Sequence, residues 1–195
     1  MISRSVDIIL GKTGSGKTTL ARSLVKPLTR TLILDAGFEE LGGLTFYTLD
    51  ELGAYLDKSA GKGGAFRASY TPLNTEWALM LEIARRLGEI EPITLVLEEA
   101  DRLPLPKELA EYDELISRGR HYGVNMIAIS LYPYKIPAEL RRQATAIYSF
   151  YQHEPRDLAY LEDVYGGHLE TLQALGPYEY LKWTRTDVSK GKTKI

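Results

Sequence analysis

A glycine-rich stretch near the start of the sequence, GKTGSGKT, has the residue types and the spacing of a phosphate-binding loop. It fits the pattern G-x-x-x-x-G-K-[ST] at each fixed position, which are Gly11, Gly16, Lys17 and Thr18. In such a loop, backbone N–H groups surround the phosphates, and the N-terminus of the following helix favours their negative charge. The residues predicted to bind the nucleotide are Gly11, Lys12, Thr13, Gly14, Ser15, Gly16, Lys17, Thr18 and Thr19.

Two side chains of this Walker A loop predict ATP and Mg²⁺ as its ligands. Lys17 is expected to contact the β- and γ-phosphates, and the Thr18 hydroxyl is expected to bind Mg²⁺. An apolar run over 6–10 precedes the loop and a predicted helix over 17–26 follows it. The motif therefore has the strand-loop-helix context that it requires.

A pair of acids follows a later apolar run, in the stretch TLVLEEADRL at 94–103. We predict a buried strand over 93–97, with Glu98 and Glu99 at its carboxyl end as a Walker B element. Glu98 is the candidate Mg²⁺ ligand, at a position where Asp is usual. Glu99 is the candidate group that orients and polarises the attacking water. Together with Lys17, this pair predicts hydrolysis of the nucleotide.

A third stretch, SRGRHYGVNMIAIS at 117–130, places two arginines at the end of a predicted helix, before a glycine turn and a buried strand. Arg118 and Arg120 are cations at a helix C-terminus, where the helix dipole alone favours positive charge. Their residue type therefore does not by itself indicate catalysis. Ser130 ends the strand with a small polar side chain.

Taken together, these stretches resemble the FtsK/HerA superfamily of ring-forming, DNA-pumping ATPases. In that superfamily Walker B is followed by a helix, an R-x-x-G turn and a strand that ends in Thr-Gln, and 120–123 matches the turn. The resemblance implies that Arg120 is a catalytic arginine finger for a neighbouring subunit, with Arg118 as the second candidate. It also implies that Ser130 is the sensor of the γ-phosphate or of the water, while Leu131 replaces the usual Gln. We expect Arg120 near the carboxyl edge of the sheet, where a neighbour's nucleotide would lie.

The elements that must position these residues alternate between strand and helix patterns almost throughout. This alternation predicts an α/β fold, a mainly parallel sheet with helices on both faces, in a single P-loop NTPase domain of RecA/ASCE-like type over 1–195. We expect a core over about 6–165, C-terminal helices and an edge strand over 166–186, and a frayed polar tail over 187–195. The predicted strands cover 6–10, 31–36, 44–48, 66–70, 93–97, 124–130, 146–151 and 178–184, and the predicted helices cover 17–26, 49–58, 74–87, 106–118, 155–165 and 168–175.

Composition limits the classes of partner. The chain has 195 residues, a formal net charge of −2 and no cysteine, so disulfides and Cys-ligated metals are excluded. A polyanion must therefore be met by local basic patches, and Lys58, Lys62 and Arg67 in a glycine-rich loop are candidates to follow a DNA backbone. Such a charge cluster is more often a solvated face. No apolar run approaches the length of a membrane span, so we expect no membrane segment in this chain.

The size of the chain narrows the resemblance to the genome-packaging ATPases of tailless, membrane-containing icosahedral dsDNA viruses. That group implies Mg²⁺-dependent ATP hydrolysis coupled to translocation of double-stranded DNA, without sequence preference, into a preformed capsid. The implied partners are DNA, a homo-oligomeric ring, expected to be a hexamer, and capsid-vertex proteins, in the host cytoplasm or at the virion vertex. Two alternatives stay open: a filamentous-phage-type assembly or export ATPase of the same superfamily, and a small-molecule or nucleotide kinase, which Glu98 and Glu99 disfavour.

Overall fold

Nine β-strands form one sheet in the part of the chain that the computed structural model describes, residues 5–37, 41–102 and 110–193. The strands are β1 (Val6–Leu10), β2 (Arg30–Leu34), β3 (Leu44–Phe46), β4 (Phe66–Tyr70), β5 (Ile93–Leu97), β6 (Val124–Ser130), β7 (Ala146–Phe150), β8 (Glu179–Thr184) and β9 (Val188–Lys192). The helices are α1 (Lys17–Val25), α2 (Leu49–Ser59), α3 (Trp77–Ile90), α4 (Ala110–Arg118), α5 (Ala138–Arg142), α6 (Pro155–Tyr165) and α7 (Leu169–Gln173).

The strand order is β3-β4-β2-β5-β6-β1-β7-β8-β9, and the pairs from β3 to β7 are all parallel. Strands β2, β5 and β7 are buried at every residue. Parallel strands covered on both faces carry continuous apolar runs, and this is how the sequence reads at these positions. The predicted α/β class and mainly parallel sheet are therefore confirmed.

Helices cover both faces of the sheet, as the alternation of elements predicts. On one face Ile8 of β1 belongs to the same buried cluster as Leu52 of α2 and Trp77 of α3. On the other face Ile9, the next residue of β1, lies in a second buried cluster with Leu20 of α1. The phosphate-loop strand is thus held from both sides. None of the helices in the described ranges has the length and apolar character needed to cross a membrane.

The two ends of the parallel strands are chemically different. We call the end where Leu10, Leu97 and Ser130 close their strands the carboxyl edge, and the end where Ile93 and Val124 open theirs the amino edge. In a parallel sheet each chain segment leaves a strand at the carboxyl edge and returns to the next strand at the amino edge. The glycine loop after β1 and the acidic pair after β5 therefore share the carboxyl edge.

The expectation of a frayed tail over 187–195 is wrong for its described part. β9 pairs antiparallel with β8, and Trp183 lies opposite Val188. Gly191 lies under the ring of Tyr180, where a side chain would collide with the ring. The strand was hidden in the sequence because its side chains are mostly polar and three lysines dominate the stretch; backbone pairing, not apolar burial, holds it.

Helix boundaries differ in smaller ways. α3 continues past the predicted end at 87 to Ile90. The missing side chain of Gly88 lets the helix approach the Tyr122 carbonyl. The short helix α5 is not predicted by any apolar period. For the helix predicted over 106–118, the structure describes α4 from Ala110, and 106–109 lie outside the described residues.

Candidate active site

The glycine loop connects the end of β1 directly to the start of α1. The Gly11 N–H donates to the Ser130 carbonyl at 3.3 Å, which ties the loop's first residue to the end of β6. Gly16 adopts φ 109, a left-handed conformation that favours glycine, and α1 begins at the next residue. Thr13 and Gly14 are exposed at the tip of the loop. The loop thus presents its backbone at the N-terminus of a helix, where an anion is favoured.

Lys17 is buried in the first turn of α1, with 8% of its surface exposed. Its Nζ donates to the Lys12 carbonyl at 2.8 Å, across the loop. Thr18 and Thr19 follow in the same turn and are half-buried. An ammonium held inside the loop has the charge that favours negatively charged phosphate oxygens, and its contact with them stays a prediction.

Aromatic side chains from the C-terminal third support the loop, and sequence analysis missed them. A side chain on Gly16 would collide with Tyr178, and its added Cβ would lie 3.1 Å from Phe150 Cε1. Tyr178 has a left-handed backbone, φ 63, and its carbonyl accepts the Thr193 N–H at 3.0 Å. Thr193, the residue after the unexpected strand β9, therefore bonds to the residue that packs on the loop. No local sequence signal links these distant segments.

Glu98 leaves the end of β5 as a buried carboxylate, with 6% of its surface exposed. Its backbone N–H donates to the Leu34 carbonyl at 3.0 Å, and its side chain lies against Gly37, where a Cβ would have no room. No cluster of three or more His, Cys, Asp or Glu side chains that could hold a metal occurs in the described ranges. Mg²⁺ in nucleotide sites needs only one or two protein oxygens besides phosphate and water. The hydroxyl of Thr18 and the carboxylate of Glu98 have the donor chemistry for that role.

Glu99, the second acid, has a strained backbone and a cationic neighbour. Its φ is 52, a left-handed conformation that costs a non-glycine residue about 1–3 kcal/mol. Its Oε2 lies 2.8 Å from Arg102 Nη1, and the Glu99 side chain is 15% exposed. Strain of this kind is often found where a side chain must take one direction for function. Arg102 lies within the acidic stretch at 94–103, and its residue type alone does not predict this contact.

Ser130 closes β6, the strand that lies between the phosphate-loop strand β1 and the acidic strand β5. Its side chain is 1% exposed, and its Oγ donates to Asp101 Oδ1 at 2.6 Å. The Leu131 N–H lies 3.3 Å from the same carboxylate oxygen. The sensor position is therefore connected to the turn that carries Glu99. Sequence analysis did not predict Asp101, although its place two residues after Glu99 is visible in the motif.

Arg118 and Arg120 lie at the amino edge, which corrects the expectation that Arg120 stands near the carboxyl edge. α4 leaves β5 and ends where β6 begins, and the Gly123 carbonyl accepts the N–H of Ile93, the first residue of β5. Arg120 is exposed, with its Nε 3.4 Å from His121 Nε2. The parallel direction of β5 and β6 dictates this placement, so Arg120 is at the opposite end of the sheet from the phosphate loop of its own chain.

Two cavities flank the glycine loop at the carboxyl edge. One, of about 440 Å³, lies between the loop and Phe150, Tyr151, Pro177 and Tyr178. The other, of about 590 Å³, lies on the β6 side and includes Lys12, Tyr132, Tyr134 and Asp157 in its lining. Burial raises the pKa of the Asp157 carboxyl, and the nearby charge of Glu154 raises it further.

The glycine-rich basic stretch is a loop only in part, because Lys58 lies in α2 and Arg67 in β4, and it does not present all three of its cations to solvent. Lys58 and Lys62 are exposed. The Arg67 guanidinium instead donates to the carbonyls of Val25, Lys26 and Leu28, at 3.3, 3.0 and 2.7 Å. It therefore completes the end of α1, and the candidate DNA contacts in this stretch reduce to the two lysines.

Comparison with known proteins places this site in a known fold. No family model matches the sequence, and no curated protein matches it. The genome packaging NTPase B204 of Sulfolobus turreted icosahedral virus 2, bound to AMPPCP, superposes with a TM-score of 0.81 at 16% identity, over 98% of each chain. The DNA-packaging ATPase B204 of Sulfolobus turreted icosahedral virus superposes with a TM-score of 0.73 at 17% identity, over 100% of each chain. VirB4 of Thermoanaerobacter pseudethanolicus superposes with a TM-score of 0.68 at 15% identity, over 99% of this chain and 90% of the VirB4 chain.

These structures establish that the chain has the P-loop NTPase fold across its described length. A packaging NTPase and VirB4 both share this architecture. At 15–17% identity the likeness concerns the fold alone.

Proposed function

We propose that this protein is an ATPase that hydrolyses Mg²⁺-ATP. One observation carries the proposal: the parallel sheet brings the glycine loop with Lys17, the acids Glu98 and Glu99, and Ser130 to one carboxyl edge. A phosphate-binding loop alone would fit a binding protein. A loop beside a carboxylate that can polarise water is suited to hydrolysis.

Each group has a distinct task in the proposed reaction. The loop backbone and Lys17 hold the β- and γ-phosphates, and Thr18 and Glu98 hold the Mg²⁺, which neutralises charge on the phosphate oxygens when bound. Glu99 orients the water and accepts its proton. The cavity of about 440 Å³ beside Tyr151 and Tyr178 offers apolar and aromatic surface for the adenine ring of ATP.

Arg120 completes the proposed site from a neighbouring subunit. A cation near the γ-phosphate stabilises the transition state, and Arg120 cannot supply it to its own chain because it lies at the amino edge. Contact between the carboxyl edge of one subunit and the amino edge of the next joins two different surfaces, and such contacts generate rings when the rotation closes. A hexameric ring is the arrangement that we propose.

We further propose that hydrolysis drives double-stranded DNA into a viral capsid. The support is the resemblance to proteins described as a genome packaging NTPase and a DNA-packaging ATPase, over nearly all of each chain. Lys58 and Lys62 are candidate phosphate contacts, and capsid-vertex proteins are the further partners, in the host cytoplasm or at the virion vertex. The likeness to VirB4 keeps an assembly or export ATPase as the alternative.

The test is phosphate release from ATP by the purified protein, with Mg²⁺, with and without duplex DNA. We expect ATPase activity that unrelated duplexes stimulate equally, and DNA affinity that falls steeply with salt, because phosphate contacts dominate. ATPase activity that DNA does not affect would favour the export alternative. Transfer of phosphate to a small molecule, with no free phosphate released, would support a kinase and overturn the proposal.

A further inference from the structure

The hydroxyl of Ser130 has three polar neighbours within hydrogen-bonding distance. Its Oγ lies 2.6 Å from Asp101 Oδ1, 3.0 Å from the Tyr132 N and 3.2 Å from the Tyr132 O. A serine hydroxyl has one hydrogen to donate and two lone pairs that accept. Only 1% of the residue is exposed. The bonds made by its one hydrogen and two lone pairs are therefore set by these neighbours and by any bound substrate or water.

The hydrogen of this hydroxyl belongs to the bond with Asp101. A carboxylate can only accept, and 2.6 Å falls in the range of about 2.5–2.7 Å for strong O–H···O⁻ bonds. The Tyr132 N–H can only donate, so it occupies one lone pair of Oγ. One lone pair of Ser130 Oγ then remains free to accept a hydrogen bond, and the hydroxyl has no hydrogen left to donate.

We propose that Asp101 is a positioning residue that makes Ser130 a hydrogen-bond acceptor for the attacking water. This inference rests on the proposed ATPase function. The oxygens of the γ-phosphate carry no hydrogen, so Ser130 cannot bond to them while its own hydrogen is given to Asp101. A water molecule can donate to Ser130. The sensor role left open by the sequence, γ-phosphate or water, is thereby assigned to water.

Each hydrogen of the attacking water then has an acceptor. It donates one hydrogen to the Glu99 carboxylate and the other to Ser130 Oγ, which leaves an oxygen lone pair for the γ-phosphorus. As the new P–O bond forms, the bond from the γ-phosphorus to the β,γ-bridging oxygen breaks, and the proton passes to Glu99. The products are ADP and inorganic phosphate.

The fold supports this arrangement because both water acceptors depend on one turn. Glu99 and Asp101 are two residues apart after β5, and β6 pairs with β5 up to Ala128, two residues before Ser130. The Leu131 N–H also lies 3.3 Å from Asp101 Oδ1. Asp101 thus fixes the end of the sensor strand at the position where leucine replaces the superfamily's hydrogen-bonding glutamine.

The experiment compares kcat and KM for ATP in the wild-type protein and in Asp101→Ala, Asp101→Asn, Ser130→Ala and the double variant Asp101→Ala with Ser130→Ala. We expect Asp101→Ala and Ser130→Ala each to lower kcat on the order of 10²-fold, the cost of a misplaced reactant. KM and the affinity for ATPγS should stay near wild type. Asp101→Asn keeps an acceptor oxygen for the Ser130 hydroxyl and should retain most of kcat. Asp57→Ala, an exposed acid on α2, is the matched control and should change neither constant.

The double variant separates a positioning role from a structural one. If Asp101 acts through Ser130, the double variant should be no slower than Ser130→Ala alone. A fall in kcat of the double variant equal to the product of the two single falls would overturn the inference and leave the ATPase proposal intact. Loss of ATPγS binding in folded Asp101→Ala would do the same. Should Asp101→Ala fail to fold, Asp101→Asn decides: a kcat as low as that of Ser130→Ala contradicts the assignment. A wild-type protein without ATPase activity would overturn the proposed function and this inference together.

Discussion

The carboxyl and amino edges of the parallel sheet differ in how firmly one chain holds its charged groups. At the carboxyl edge Lys17, Glu98 and Ser130 are 8%, 6% and 1% exposed, and each is fixed by the loop or turn around it. At the amino edge the Arg118 side chain is 68% exposed, 4.0 Å from Glu114, and Arg120 is exposed as well. The groups that we propose to act within one chain are held in place by that chain, whereas the exposed cations at the far edge are accessible to another chain.

This difference predicts two kinds of mutational effect. A change at the carboxyl edge should act within the subunit that carries it. A change of Arg120 should act on the neighbour, and only in the assembled state. The following predictions run from the largest expected effect to the smallest.

Replacing Lys17 should have the largest effect. Lys17→Ala removes the ammonium inside the phosphate loop, so we expect ATP binding and turnover to be abolished. Circular dichroism should show an unchanged fold, since the alanine is compatible with the first turn of α1. Full ATPase activity in a folded Lys17→Ala protein would disprove the phosphate-loop assignment.

Arg120→Ala should bind ATP normally and hydrolyse it roughly 10³-fold more slowly, the scale of a lost arginine finger. Isothermal titration with ATPγS and steady-state phosphate release measure the two properties. Arg118→Ala, two residues away and also exposed, is the matched control and should retain much more activity. If the two effects are exchanged, Arg118 is the finger.

Substitutions of Glu99 and Glu98, the two acids of the carboxyl edge, should affect different properties of the ATPase. Glu99→Gln keeps the shape of the side chain and loses its charge, so kcat should fall on the order of 10²-fold while ATP affinity is kept. Glu98→Gln should mainly raise the Mg²⁺ concentration needed for half-maximal activity. Mg²⁺ titrations of both variants test this division, and the reverse pattern would show that the acid roles are exchanged.

The smallest effect concerns the basic stretch at the amino edge and is one of stability. Arg67→Ala loses the guanidinium that holds the last carbonyls of α1, which should cost about 2 kcal/mol and lower Tm by about 4–8 °C for a chain of this size. Lys62→Ala, at an exposed position in the loop that precedes β4, should leave Tm unchanged and weaken DNA binding. Equal Tm values for the two variants would contradict the assigned role of Arg67.

Much of the fold and of the carboxyl edge could be predicted because their signals are local. An apolar run followed by GKTGSGKT specifies strand, loop and helix within neighbouring residues. The apolar run before Glu98 likewise specifies the strand β5 and the acidic turn that follows it. Both placements agree with the structure. The parallel sheet then brings the two loops together without further information.

The parts that sequence did not predict depend on contacts between distant segments. β9 pairs through its backbone, so its polar side chains give no strand signal. Tyr178 packs on Gly16 across 162 positions of sequence, and Asp101 meets Ser130 across 29. The expected position of Arg120 is wrong for a different reason: β5 and β6 are parallel, so the chain between them must return to the amino edge, where α4 ends and β6 begins.

The most direct test of the central claim mixes two inactive variants, Lys17→Ala and Arg120→Ala, and measures ATP hydrolysis. In a mixed assembly, a Lys17→Ala subunit lends its intact Arg120 to the intact phosphate loop of an Arg120→Ala neighbour. We predict that the mixture recovers part of the wild-type ATPase rate, while each variant alone stays inactive. Differently tagged subunits that co-purify would establish co-assembly. If they co-assemble and the mixture remains as inactive as either variant, the two edges of neighbouring subunits do not form one active site.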